Sequence, residues 1–121
     1  MADQQVVPMI HVVDVQATVK WYESIGFAVL NTFEDDGELN FALLGYGNSH
    51  LMLTGGGQPS EADRRDVDLY IHTLDVEADF QRLKDRVEIL DGLDTSFYGA
   101  REFIARDPNR YWLVFGQPID G

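Results

Sequence analysis

The chain has 121 residues, no cysteine, and a formal charge of −12 from 21 acidic against nine basic side chains. That length suits one domain with a real core, and the missing cysteines exclude disulfides, thiolate nucleophiles and cysteine metal sites. The acidity argues against nucleic acid, which needs a basic footprint, and against an anionic membrane surface; its field would draw in a cationic ligand or simply keep the protein soluble.

Residues 1–5 are a polar tail with no signal-peptide pattern, and no run of about 18 apolar residues marks a membrane span. A cytoplasmic location is therefore expected. Residues 6–13 are β-rich and read as a strand. Asp14 suits the N-cap of a helix over 15–25, and Gly26 suits a left-handed C-cap. A second strand follows at 27–33, then the acidic turn Glu34-Asp35-Asp36-Gly37. Strands at 39–44 and 50–54 flank a turn at 45–48. Residues 55–65 open with three glycines and stay polar, which reads as a link between two modules. No Lys-Ser/Thr follows the glycines, so a phosphate loop is not indicated. A strand at 67–73, the cap Asp75 and a helix over 76–86 come next. A short strand at 87–90 leads into an irregular stretch, 91–96. A strand at 100–106, the turn Asp107-Pro108-Asn109-Arg110 and a strand at 111–116 complete the chain.

The order strand, helix, three strands is written twice. Residues 10–15 read Ile-His-Val-Val-Asp-Val and residues 71–76 read Ile-His-Thr-Leu-Asp-Val, four identities in six at an offset of 71 − 10 = 61. The helices that follow share an apolar face at i, i+4, i+7 and i+11: Val15, Val19, Tyr22 and Gly26, then Val76, Phe80, Leu83 and Val87. The expected fold is α+β, two repeated βαβββ modules (6–54 and 66–117) making one domain with a curved mixed-sheet cleft.

Three stretches carry a family resemblance. Val12-Val13-Asp14-Val15 with Trp21-Tyr22-Glu23-Ser24-Ile25-Gly26-Phe27 is one, Gly99–Pro108 is the second, and Tyr111-Trp112-Leu113-Val114-Phe115 is the third. With the repeat they resemble the vicinal oxygen chelate superfamily, also called glyoxalase/bleomycin resistance/dioxygenase proteins, and the bleomycin-resistance branch most of all. The family turn reads Asp-Pro-x-Gly-Asn. Here Arg110 stands where that glycine serves a positive φ, a conformation arginine adopts less easily.

The resemblance implies a metal test. Enzymes of the superfamily mostly hold one divalent ion on His, Gln or Glu from the first and last strand of each module. Counting seven residues back from each capping Asp, and aligning Gly55 with Gly116, gives Val7, Leu53, Asp68 and Val114. Three apolar side chains coordinate nothing, so no metal and no cofactor is expected. His11 and His72 share the strand faces of Val7 and Asp68 but lie about four residues, roughly 13 Å, along the strand. They are read as local hydrogen-bonding residues, as ligand contacts, or as an unusual pair of metal ligands. His50 follows a turn and is expected in solvent. No serine sits in a nucleophile elbow, so no catalytic residue is assigned.

By alternation Met9, Leu51, Leu53, Tyr70, Trp112 and Val114 are expected to point into the cleft, flanked by Phe33, Phe41 and Tyr98. Glu34, Asp35, Asp36, Glu38 and Asp68 would supply an acidic rim. Aromatic walls beside carboxylates suit a flat organic cation. The expected ligand contacts are Phe33, Phe41, Asp68, Tyr70, Tyr98, Trp112, His11 and His72. The resemblance implies a homodimer that sequesters a cationic aromatic drug and makes or breaks no bond. The alternative within the same superfamily is a metal-dependent lyase or dioxygenase.

Overall fold

The computed structural model describes residues 4–59 and 61–118. The chain divides into two compact units, Met1–Pro59 and Ser60–Gly121. The first contains β1 (Met9–His11), α1 (Val15–Ser24), β2 (Ala28–Asp35), β3 (Glu38–Tyr46) and β4 (Ser49–Thr54). The second contains β5 (Asp68–His72), α2 (Val76–Leu83), β6 (Glu88–Thr95), β7 (Ala100–Arg106) and β8 (Trp112–Pro118). Each unit is a four-stranded mixed sheet, ordered β1-β4-β3-β2 and β5-β8-β7-β6. The first strand of each pairs parallel to the last, and every other pairing is antiparallel. The architecture is α+β and the βαβββ unit occurs twice.

Both helices start as the sequence dictates. Asp14 accepts a bond from the Ala17 N–H at 3.0 Å, and Asp75 accepts one from Ala78 at 3.1 Å, which satisfies amide donors that the first helical turn leaves free. Gly26, at φ +114, follows the first helix as a left-handed residue. The β2–β3 hairpin closes through Asp36 (φ +52) and Gly37 (φ +79), the two positive values that a type I′ turn requires. Strand β6 continues through residues 91–95, where the sequence suggested irregular chain. Its pairing with β7 slips between Ile89 and Asp91 and again between Asp91 and Asp94, so the alternation is broken by bulges rather than by loss of the strand.

Each helix covers one face of its own sheet. In the first unit Val15, Val19 and Tyr22 are buried, as are Ile10, Ala42, Leu44, Leu51 and Leu53 of the strands. In the second, Val76 and Leu83 are buried with Ile71, Phe103, Ala105, Leu113 and Phe115. Leu51 (3% exposed) and Leu53 (0%) therefore face the helix side, not the open side expected of them. The reason is register. His11 pairs with Thr54 as His72 pairs with Gly116, so Thr54, and not Gly55, is the counterpart of Gly116. A shift of one residue turns every side chain of a strand to the opposite face.

The connection at 55–65 carries tertiary bonds at both ends. The Gly55 N–H donates to Asn40 O and the Gly57 N–H to Val12 O. Residues 62–65 lie along the turn end of the β7–β8 hairpin. Arg106 and Trp112 both donate to Asp63 O at 2.9 Å, Arg110 donates to Ala62 O at 3.2 Å, and Arg65 donates to Asn109 O at 2.8 Å. Asp107 is 3% exposed and organises the turn by accepting from the Asn109 and Tyr111 amides.

Arg110 does adopt the positive φ of the family glycine, at +73. Its bond to Ala62 O offsets part of that strain. Arg110→Gly relieves the strain and loses the bond, whereas Arg110→Ala loses the bond and keeps the strain. The glycine variant should therefore be about 1 kcal/mol more stable than the alanine variant in urea denaturation. Equal midpoints would show that no strain is stored there.

Candidate functional site

Opposite its helix, each sheet keeps an open face. In the first unit one row across that face runs His11, Thr54, Phe41 and Phe33, each paired with the next. The adjacent row joins Met9, Met52, Leu43 and Asn31. Phe33 is 63% exposed and Met9 54%, an uncommon amount of apolar surface to leave in water. Leu30 bulges from β2 and packs over Gly45. The histidine of this face is committed: His11 Nδ1 lies 3.3 Å from Gly55 O. His50, expected in solvent, is half-buried on β4, and its Nδ1 has no hydrogen-bond partner.

The equivalent rows of the second unit are more polar. One runs His72, Gly116, Glu102 and Asp94; the other runs Tyr70, Val114, Ile104 and Asp91. Asp68 and Trp112 are paired at the end of the same face. Arg64 ties this end together. Its guanidinium lies 4.2 Å from the centroid of the Trp112 ring and forms an ion pair with Asp68, with Nε 3.2 Å from Oδ1. The Asp68 bond in turn holds the guanidinium pKa above its ordinary value. Arg106 is paired with Glu88 at 2.6 Å, and that bond lowers the Glu88 carboxyl below its usual range.

At the other end, Tyr70 donates to Glu102 Oε2 at 2.6 Å and Tyr98 donates to the same oxygen. Partial burial and the Glu102 bond raise the Tyr70 phenol pKa, and the Glu102 bond raises that of Tyr98. Both phenols therefore stay protonated as donors. The His72 ring lies 5.2 Å from that of Tyr70. Gly116 makes the arrangement possible, because an added methyl would overlap the Tyr70 hydroxyl and come within 2.7 Å of its Cζ.

The sequence-predicted residues thus fall into two sets. Asp68, Tyr70, His72 and Trp112 share the open face of the second sheet, with Tyr98 joined to it through Glu102. His11, Phe33 and Phe41 share one row of the first. Asp68 is a partner of Arg64 rather than a free rim carboxylate, and Glu34, Asp35, Asp36 and Glu38 cluster at the β2–β3 hairpin. Glu102, Arg64 and Gly116 were missed. The offset of 61 pointed to Glu102, since it is the repeat counterpart of Phe41.

With the register corrected, the four metal positions are Val7 and Met52 in the first unit and Asp68 and Val114 in the second. Two valines, a thioether and a carboxylate already paired with arginine do not fit a divalent ion. Among the described residues no group of three His, Asp or Glu side chains is placed to hold one.

The Glyoxalase/Bleomycin resistance protein/Dioxygenase superfamily matches residues 4–115. The chain belongs to this superfamily. The structure is similar to that of TioX from Micromonospora sp. ML1, with 20% identity, a TM-score of 0.79, and 97% of this chain and 100% of that one covered. It is also similar to a bleomycin resistance determinant encoded on the transposon Tn5, with 18% identity, a TM-score of 0.74 and coverage of 97% and 99%. A protein of unknown function from Agrobacterium tumefaciens str. C58 has 24% identity, a TM-score of 0.75 and coverage of 98% and 97%. At these identities the likeness speaks for the superfamily fold. Among curated proteins none matches the sequence.

Proposed function

We propose that this superfamily member is a metal-free, non-catalytic binding protein that sequesters a flat, cationic aromatic ligand. The observation that carries the reading is the exposure of large rings on and beside open sheet faces, with Phe33 at 63% on β2, Tyr70 at 43% on β5 and Tyr98 at 57% in the turn between β6 and β7. A globular protein gains by burying such rings, and rings held on a rigid sheet are ready-made stacking surfaces. The net charge of −12 favours a cation over an anion. The unsuited donor set supports binding over metal-assisted chemistry. The protein acts in this reading as a cytoplasmic homodimer; no helix among the described residues is long and apolar enough to cross a membrane.

Calorimetry with bleomycin tests the ligand class, because the Tn5 relative is a bleomycin resistance determinant. Saturable heat below millimolar drug is the expected result, and its absence rejects that drug. Metal analysis of the purified protein tests the other half: a tightly held stoichiometric divalent ion overturns the metal-free reading and favours a lyase or dioxygenase. Trp112→Ala should weaken the bound drug by about 2–3 kcal/mol, the scale of a buried aromatic anchor. Trp112→Phe, which keeps a ring and loses only the bond to Asp63 O, should lose under half of that. An unchanged affinity in Trp112→Ala would move the site off the second sheet.

A further inference from the structure

The open face of the second sheet carries two carboxylates on β5 and β7, Asp68 and Glu102. They are held in different ways. Asp68 is neutralised by Arg64. Glu102 has no basic partner among the described residues; both of its hydrogen bonds come from phenols, and both end on Oε2. Oε1 accepts no bond from the described residues. Its neighbour Arg101 turns away to Glu77, 3.3 Å distant. Glu102 is thus an anion fixed in place by Tyr70 and Tyr98, with its charge uncancelled and one oxygen unused.

We propose that Glu102, walled by Tyr70, Tyr98 and His72, is the anchor for the protonated amine of an organic cation. An ammonium donates a hydrogen bond to Oε1 and places its positive charge beside the faces of electron-rich rings, so charge pairing and cation–π attraction act on the same atom. The two phenols do for the carboxylate what a lysine cannot: they hold it still without neutralising it. Glycine at 116 is part of the device, since any side chain there drives the Tyr70 hydroxyl off Glu102. The repeat sharpens the assignment. The counterpart of Glu102 in the first sheet is Phe41, in a row flanked by Phe33, so equivalent positions offer a ring in one module and a charge in the other. This proposal rests on the binding function above and names the part of the ligand that the second module takes.

The test uses benzylamine and benzyl alcohol, which share a ring and differ in charge, titrated into the isotope-labelled protein and followed by backbone amide shifts. Benzylammonium should shift the amides of Tyr70, Tyr98 and Glu102 saturably, and benzyl alcohol should bind at least tenfold more weakly. Glu102→Gln keeps an acceptor for the phenols and removes the charge, so its spectrum should stay folded while benzylammonium affinity falls at least tenfold. Gly116→Ala should lower it several-fold by displacing Tyr70. Equal binding of both probes, or no loss in Glu102→Gln, overturns the ammonium anchor and leaves aromatic binding standing. Binding of neither probe, with bleomycin still bound elsewhere, overturns the anchor alone; binding of none of the three overturns it together with the proposed function.

Discussion

Gly57→Ala is expected to destabilise the protein by about 2–3 kcal/mol, lowering the thermal midpoint by roughly 8–15 °C. A Cβ at this position would lie 2.7 Å from both the Val12 N and carbonyl carbon and 2.8 Å from the His11 carbonyl carbon. These are backbone atoms, which cannot swing aside as the end of a side chain can. The same segment is held by the Gly57 N–H to Val12 O bond at 3.0 Å, while Val12 N donates to Thr54 O at 2.8 Å. Relief of the overlap must therefore move β1 off β4 or release the chain after β4. Gly56→Ala is the control. Nothing lies within 4 Å of its added Cβ, but its φ of +87 disfavours any side chain, so it should cost only about 1 kcal/mol. Equal losses for the two variants would show that the close approach at 57 is relieved as cheaply as the unfavourable φ at 56.

The glycine run also shows where sequence reading reaches its limit. Composition marked 55–57 as a link, and nothing local distinguishes Gly56, whose Cβ would meet open space, from Gly57, which touches another strand. The strap at 62–65 was equally hidden, because its partners lie more than forty residues away at Asn109, Arg110 and Trp112. What depends on neighbours in sequence was legible. Asp14 and Asp75 announce their helices, and the apolar spacing from Val15 and Val76 announces their buried faces; at Arg110 the missing glycine left the turn geometry open until the backbone showed it. Register was the weak point. Aligning Gly55 with Gly116 rather than Thr54 with Gly116 placed Leu51 and Leu53 on the open face. At strand β6 the acidic residues around Gly92 broke the alternation, so a bulged strand was read as loop. The candidate site was half legible for a related reason: its rings stand out in the sequence, whereas Glu102 gains its meaning from Tyr70, thirty-two residues away.

Phe103→Ala should cost about 3–5 kcal/mol and should also weaken ligand binding, although Phe103 faces away from the site. Its side chain is fully buried, stacked on Phe115 at 4.7 Å with an interplanar angle of 2°, and met edge-on by Phe80 at 5.3 Å. This three-ring cluster joins α2 to β7 and β8 on the helix side of the second sheet. Its removal leaves a cavity that the surrounding strands fill only in part. Glu102 and Ile104 flank Phe103 on β7 and face the open side, so a shift of the strand to fill that cavity moves Glu102 relative to Tyr70. Phe103→Leu retains most of the volume and should cost about 1–2 kcal/mol. Urea denaturation reads the stability of both variants, and calorimetry under conditions where each is fully folded reads the affinity. A loss below about 1 kcal/mol in Phe103→Ala would show that the stack is not the centre of this core. A large loss of stability with unchanged affinity would show that β7 is fixed by its neighbours β6 and β8, and that the position of Glu102 is set by the sheet rather than by the helix packed beneath it.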